Sequence, residues 1–208
     1  MPLGDSITYG LGSSDFGGYR SRLFHLALVN HQAITFVGGR RDGPATVDGV
    51  PFPMDHEGSS GYHIADIAGL AAQQVARYTP RIVLLMIGTN DMDRSDNVDT
   101  APARLGKLMD LIIQTAPTAL LVVGTVTPAR DGPTEARVIT FNAAIPGMVA
   151  SRAQAGAHIT MVDTFAALAT DPNFATTQLG DYVHPNNSGY DLIARAWYAK
   201  VGSLFPPK

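Results

Sequence analysis

Three short polar segments of the sequence contain the residue types that nucleophilic catalysis requires. The segment GDS at residues 4–6 supplies a serine, GTND at residues 88–91 an amide, and DYVH at residues 181–184 a carboxylate and an imidazole. A serine hydroxyl is a weak nucleophile until a neighbouring base takes its proton, and that base must be oriented by a third group. The segments therefore predict Ser6 as a nucleophile and His184 as its base.

Asp181 and His184 have a spacing that suits a proton relay. Three residues apart in a loop, the carboxylate can contact one imidazole nitrogen while the other nitrogen faces Ser6. We therefore expect Ser6 Oγ to lie about 2.6 to 3.5 Å from His184 Nε2, with Asp181 at the opposite nitrogen. The alternative interpretation of Asp181 and His184 is a surface ion pair.

Negative charge that develops on an attacked carbonyl oxygen needs hydrogen-bond donors that are already in place. The candidates are the backbone N–H of Ser6, the backbone N–H of Gly61 and the side-chain amide of Asn90. Gly61 permits close backbone approach because it has no side chain. Asn90 has an alternative role as a helix cap.

Apolar runs alternate with segments of helical periodicity along the chain. Runs rich in β-branched residues predict strands at AITFVGG from 33, RIVLLMIG from 81, ALLVVGTV from 119 and HITMVD from 158. A fifth, short strand is predicted at MPL from residue 1, directly before the Gly-Asp-Ser turn. Apolar spacing of about 3.6 residues predicts helices over residues 18–30, 63–78, 101–116, 134–154 and 187–204. This alternation predicts one α/β domain over residues 1–208, a flavodoxin-like three-layer α/β/α sandwich with a five-stranded parallel sheet in the order 2-1-3-4-5.

The predicted sheet brings the candidate catalytic residues to one edge. Ligands of open α/β sheets bind beyond the carboxyl ends of the strands. Ser6 follows the first predicted strand, and Asn90 follows the third. The long connection of residues 40–61, rich in Gly, Pro and Asp, closes with Gly61. Because a connection of this length within a compact domain is usually functional, we expect it to border the same site.

The three polar segments, together with Ser60-Gly61 between the first and second of them, resemble the SGNH (GDSL-like) hydrolase superfamily, whose members carry Ser, Gly, Asn and His in four separated blocks in this order. The resemblance spans residues 4–184. It implies catalytic roles for Ser6, Asp181 and His184, and an oxyanion hole formed by Ser6, Gly61 and Asn90. Other glycines near the second block are Gly38, Gly39 and Gly58, but Ser60-Gly61 followed by a predicted helix fits better.

Within that superfamily, the segments PLGDSITYG, DHEGSSGY, LLMIGTNDM and DYVHPNNSGY look like carbohydrate esterase family 3, whose members deacetylate xylan. This resemblance implies a serine esterase that removes acetyl groups from plant polysaccharide through an acyl-enzyme on Ser6. It also implies secretion, although the given chain carries no signal-peptide pattern. The open alternatives are a lipase, thioesterase or arylesterase on the same scaffold, and a catalytically silent carbohydrate-binding domain.

The amino-acid composition excludes several classes of binding partner and catalytic site. Lys and Arg total 15 against 18 Asp and Glu, a net charge of -3, so no basic field is available for nucleic acid or an anionic membrane. The chain has no cysteine, which excludes disulfides, thiolate metal sites and a cysteine nucleophile. No apolar run reaches the length of about 18 residues that a membrane span needs. We expect a monomer that acts on an acetylated carbohydrate or another small ester.

Two further features have alternative interpretations. The acidic segment DMDRSDNVD, residues 91–99, carries oxygen ligands that suit a structural calcium ion, but it lacks the glycine and glutamate of an EF-hand loop and also fits a solvated loop with a helix cap. The proposed catalysis requires no metal or cofactor. His56 and His63 flank Gly61, where they fit either substrate contact or packing.

Overall fold

The computed structural model describes all residues from 1 to 208. Its strands are β1 Pro2–Gly4, β2 Arg40–Arg41, β3 Thr46–Val47, β4 Val50–Pro51, β5 Asp55–Gly58, β6 Ile82–Met86, β7 Leu120–Gly124 and β8 Ile159–Val162. Six of them form the central sheet in the order β2-β5-β1-β6-β7-β8, while β3 and β4 form a separate hairpin. The pairs β5-β1, β1-β6, β6-β7 and β7-β8 are parallel, and the edge strand β2 is antiparallel to β5.

The helices cover both faces of this sheet. They are α1 Ser6–Tyr9, α2 Gly18–Val29, α3 Ile64–Tyr78, α4 Thr89–Asp93, α5 Ala101–Thr115, α6 Gly132–Gln154, α7 Thr164–Ala169, α8 Phe174–Thr177 and α9 Asn187–Val201. The five long helices α2, α3, α5, α6 and α9 agree with the five predicted helical ranges to within a few residues. No helix has both the length and the apolar character needed to cross a bilayer.

Two hydrophobic cores explain the three layers. Along β6 the side chains of Val83 and Leu85 enter one core, and those of Leu84 and Met86 enter the other, because successive side chains of a strand point to opposite faces. The first core is closed by α3, α5 and α6, and the second by α2 and α9. The predicted α/β/α sandwich is therefore confirmed, with an additional antiparallel edge strand.

The second predicted strand is misplaced in the sequence-based prediction. Residues 33–39 form no strand, and the position beside β1 belongs to β5, where Leu3 pairs with Glu57 and Gly4 with Gly58. Because β1 is flanked by β5 on one edge and β6 on the other, the apolar run at 33–39 has no edge of β1 left to pair with. The N–H of Ala33 instead donates to Pro206 O near the end of the chain.

A buried arginine fixes the connection between β1 and β5. Arg20 on α2 is fully buried, and burial lowers its pKa to about 10, so its guanidinium stays charged at neutral pH. Its N–H groups donate to five backbone carbonyls, those of Thr8, Tyr9, Phe16, Asp42 and Met54. The guanidinium therefore holds the long connection against the turn that follows Ser6.

Candidate active site

Ser6 and His184 meet at the carboxyl edge of the parallel sheet. Ser6 lies at the start of α1, directly after β1, and its Oγ is 2.9 Å from His184 Nε2 although the two residues are 178 positions apart. Ser6 is only 2% exposed, so its hydroxyl has little competing contact with solvent. This contact has the geometry in which the imidazole can remove the hydroxyl proton.

Asp181 completes the relay from the other side of the ring. Its Oδ2 lies 2.7 Å from His184 Nδ1, and its Oδ1 accepts the N–H groups of Val183 at 3.0 Å and His184 at 2.8 Å. Partial burial alone would raise the pKa of Asp181, but the N–H groups of His184 and Val183 and the charge of the imidazole lower it below its usual value. Asp181 is therefore ionised at neutral pH and orients the ring.

The histidine loop is anchored next to α9. Gly180 N–H donates to His184 O at 2.8 Å, and Asn186 caps α9 by accepting the N–H of Gly189 at 3.1 Å. Asn186 Nδ2 also donates to Thr177 O. These bonds fix the backbone on both sides of His184, so the orientation of the ring depends on the packed end of a long helix.

The turn that carries Ser6 is tightly packed against the neighbouring strand. A Cβ built at Gly4 would stand 2.0 Å from Met86 O, so only glycine fits there. Asp5 follows as the N-cap of α1 and accepts the N–H of Ile7 at 3.0 Å. The close approach of β1 to β6 brings Ser6 toward the segment that contains Asn90.

Gly61 and Asn90 border the same edge as Ser6. Ser59 N–H donates to Gly4 O at 2.9 Å, so the chain leaving β5 follows the turn after β1. Gly61 has a φ of 81°, in the left-handed region that favours glycine, and its N–H donates no hydrogen bond within the protein. Asn90 Nδ2 donates to Tyr62 O at 2.8 Å, which leaves its second amide hydrogen free.

Asp91, the first residue of the acidic segment, is occupied by protein contacts. It is completely buried, lies 2.7 Å from Arg104 Nη2 and accepts the N–H of Ile64 at 3.0 Å. It therefore ties α4 to α3 and α5. No group of three or more His, Cys, Asp or Glu side chains is arranged to hold a metal ion. Calcium binding at residues 91–99 stays a prediction.

His56 and His63 have contacts that explain them without a substrate. His56 is buried, its Nδ1 accepts the N–H of Gly58 at 2.9 Å, and its Nε2 lies 3.3 Å from Asp42. Burial, with the charges of Arg20 and Arg40, lowers the pKa of His56 to about 3. His63 caps α3 opposite Asp66.

The cavities next to the site are open to solvent. One of about 750 Å³ is lined by Ser60, Gly61, His63, Asp66 and Arg94, and one of about 600 Å³ on the histidine side is lined by residues 11–14, Phe16 and 186–188. A larger, mostly apolar cavity of about 810 Å³ lies at the opposite end of the sheet, where it contacts the first residues of β6, β7 and β8. The apolar space is therefore remote from Ser6.

The sequence-based reasoning assigned no role to Asp5 or Arg94. Arg94 is exposed one helical turn after Asn90, and a Cβ built at Gly61 would stand 3.8 Å from its Nη2. The i, i+4 spacing between Asn90 and Arg94 was the feature of the sequence that could have placed Arg94 near Asn90. The position of Asp5 directly before Ser6 could have placed it near the site, but the burial of Asp5 depends on residues far away in the chain.

Comparison with known proteins gives consistent relatives. A family model described as the GDSL-like Lipase/Acylhydrolase family matches residues 3–192. A family 3 carbohydrate esterase from Clostridium thermocellum superposes with a TM-score of 0.83 and 32% identity, covering 98% of this chain and 94% of that one. An acetyl esterase variant solved with an acetate ion superposes with a TM-score of 0.81 and 27% identity, covering 98% of this chain and 96% of that one.

A curated relative is considerably longer. The multidomain esterase of Ruminococcus flavefaciens is 29% identical over 97% of this chain but only 28% of its own length. The chain thus corresponds to about a quarter of that relative. The fold, the edge of the sheet that gathers Ser6, His184 and Asp181, and the relatives all agree on one class of protein.

Proposed function

Because the chain belongs to the GDSL-like lipase/acylhydrolase family, we propose that it is a carboxylic ester hydrolase that removes acetyl groups from a carbohydrate alcohol through an acyl-enzyme on Ser6. The observation that carries this proposal is the continuous contact from Ser6 Oγ to His184 Nε2 at 2.9 Å and from His184 Nδ1 to Asp181 at 2.7 Å.

In the first half of the proposed reaction, His184 Nε2 takes the proton of Ser6 while Oγ forms a bond to the ester carbonyl carbon. The N–H groups of Ser6 and Gly61 and the free amide hydrogen of Asn90 would stabilise the negative oxygen. When the tetrahedral intermediate collapses, the carbon–oxygen bond to the alcohol breaks. His184 returns the proton to the departing alcohol, and the acyl group stays on Ser6.

In the second half, a water molecule replaces the alcohol. His184 takes a proton from this water while its oxygen attacks the acyl carbon, and the same donors stabilise the second intermediate. The bond to Ser6 Oγ then breaks, and the proton returns to Ser6. Asp181, held by two N–H groups, keeps Nδ1 protonated and stabilises the imidazolium that forms in each half.

The cavities favour a short acyl group and a polar alcohol. The space beside Gly61 is open and has a mixed lining, in which serine, histidine, aspartate and arginine side chains lie beside Tyr62, Ala65 and Leu70, and it forms no long apolar channel. The apolar cavity that would suit a long acyl chain lies at the amino ends of the strands, at the opposite end of the sheet from Ser6. Relatives described as a family 3 carbohydrate esterase and an acetyl esterase support the same choice.

A substrate panel tests this proposal. We expect kcat/KM for nitrophenyl acetate to exceed that for the octanoyl ester by more than about 10-fold, since a pocket discriminates by about 10-fold or more for a misfitting methylene. Acetate should also be released from acetylated xylan. A preference for the octanoyl ester would favour the lipase alternative, and the absence of any turnover would favour a silent carbohydrate-binding domain.

Secretion also belongs to this proposal, because a polysaccharide substrate would be met outside the cell. Secretion and the monomeric state stay predictions. Fractionating the native host and measuring the mass of the purified protein in solution address them separately.

A further inference from the structure

Asp5 is a buried carboxyl group next to Ser6 for which the proposed reaction has no use. It is completely buried at the N-terminus of α1. Its Oδ1 accepts the N–H of Ile7 at 3.0 Å, but its Oδ2 is buried without a hydrogen-bond partner. Asparagine is a comparable helix cap, so capping α1 does not by itself require a negative charge at this position.

The residues around Asp5 come from both the Asn90 side and the His184 side of the site. The Thr89 side chain at the start of α4 faces the carboxyl group and lowers its pKa, although neither the Thr89 hydroxyl nor Asp5 Oδ2 reaches hydrogen-bond geometry. The titratable groups that face Asp5 are His184 from the loop before α9, Tyr190 from α9 and Tyr19 from α2. Burial raises the pKa of both tyrosines, and Asp5 adds to that effect, so both stay neutral.

Of these three groups only His184 can take up a positive charge, so it is the one that a negative charge on Asp5 attracts. Burial raises the pKa of Asp5 to about 6, whereas the N–H of Ile7, the hydroxyl and N–H of Thr89 and the charge of His184 oppose that rise. Asp5 is thus mostly ionised above pH 6. Because the attraction between two charges is mutual, ionised Asp5 favours the imidazolium over the neutral imidazole.

We propose that Asp5 is a positioning residue of this site: it holds the Ser6 turn through Ile7 N–H and provides a fixed negative charge that favours the imidazolium formed when His184 takes the serine proton. The proposal rests on the proposed roles of Ser6 and His184. Asp5 contacts no substrate in this scheme and acts only through those two residues.

The test is the pH dependence of kcat/KM for Asp5→Asn. The amide oxygen still accepts Ile7 N–H, so the turn is retained while the charge is removed. We expect the plateau kcat to fall by about 10-fold, roughly 1.4 kcal/mol of lost transition-state stabilisation. The acid limb of kcat/KM should move to lower pH, because the imidazolium loses its negative neighbour and Asp5 no longer titrates.

Stability should change in the opposite direction to activity. The pKa of Asp5 in the folded protein, about 6, lies above the usual value of 3.8, so its contribution to stability is complete below pH 3.8 and is lost as pH rises through 6. Asp5→Asn has no such loss. At pH 8 its Tm should equal or exceed that of the unmodified protein, whereas a role only as a helix cap would leave kcat and the acid limb unchanged.

Thr89→Val provides a second variant, for which the expected pH shift of the acid limb has the opposite direction. Valine keeps the shape but removes the hydroxyl that lowers the pKa of Asp5, so the acid limb should move to higher pH. The matched control is Asp163→Asn, since Asp163 caps a helix as Asp5 does and lies next to a threonine, whose hydroxyl it accepts, but is exposed. It should leave kcat and the acid limb unchanged.

An Asp5→Asn protein with normal kcat and an unshifted acid limb would overturn the proposal. If that variant does not fold, an unshifted acid limb in Thr89→Val would overturn it. Ser6→Ala, measured in parallel, separates this failure from that of the proposed function. An inactive Ser6→Ala with an unaffected Asp5→Asn removes only the role of Asp5, and an active Ser6→Ala removes the proposed function.

Discussion

Ser6→Ala should lower kcat by about 10⁴- to 10⁶-fold, because the loss of a serine nucleophile removes the acyl-enzyme route altogether. The side chain of Ser6 makes a single hydrogen bond, to His184, so the fold should be retained when the hydroxyl is removed. Hydrolysis of nitrophenyl acetate under saturating conditions measures the loss. Thermal unfolding of the same preparation measures whether the fold is intact.

Ser21 offers a matched control for this substitution. Like Ser6 it is 2% exposed, but its hydroxyl bonds to Asp15 and Gly18 O rather than to an imidazole. Ser21→Ala should therefore retain near-normal kcat. If Ser6→Ala also retained near-normal kcat with the fold intact, another nucleophile would have to be sought.

Asn90→Ala should lower kcat by about 10²- to 10³-fold, the typical effect of deleting one side-chain donor from an oxyanion hole. The KM should change far less, because the donor acts mainly on the charge that develops in the transition state. Initial-rate measurements over a range of nitrophenyl acetate concentrations separate the two parameters. The variant also loses the contact to Tyr62 O, so its Tm must be recorded.

Asn142 is the control for that structural contribution. It has the same 9% exposure as Asn90, and its amide bonds to the backbone N–H and C=O of Val126 at 2.8 Å. Asn142→Ala should lower the Tm with little effect on kcat. An Asn90→Ala protein with the same signature, unaltered kcat and reduced Tm, would make Asn90 a structural residue.

The parallel sheet could be predicted largely from the sequence, because its central strands are continuous apolar runs. Strand β5 could not, since its sequence DHEG is polar and reads as a loop. His56 and Glu57 are nevertheless buried there. The apolar run at residues 33–39 was the stronger local signal, but pairing depends on which segment reaches the free edge of β1, and local pattern does not contain that information.

The relay residues could be located because their spacing within each segment is short. The glycine of the oxyanion hole was harder to choose from the sequence, since Gly38 and Gly58 lie near Gly61 in the chain and are also packed closely. A Cβ at Gly38 would collide with the His56 backbone, and one at Gly58 with the Thr8 and Tyr9 backbone. Only Gly61 among these has a positive φ with a free N–H. That distinction requires backbone geometry.

The environment of Asp5 could not be predicted from the sequence either. Its neighbours Thr89, Tyr190 and His184 come from parts of the chain that are 84 or more positions away, so neither its burial nor its unpartnered oxygen follows from the sequence around it. A Gly-Asp-Ser turn viewed alone predicts a solvated cap. The fold converts this cap into a buried charge beside Ser6.

Covalent labelling with a fluorophosphonate tests most directly the central claim, that Ser6 is a nucleophile activated by His184. Mass spectrometry of the intact protein should show one adduct per chain, and peptide mapping should place it on Ser6. Ser6→Ala should remain unlabelled, while Ser21→Ala should be labelled normally. An adduct on a different serine, or equal labelling of Ser6→Ala, would contradict the assignment of the nucleophile and the mechanism built on it.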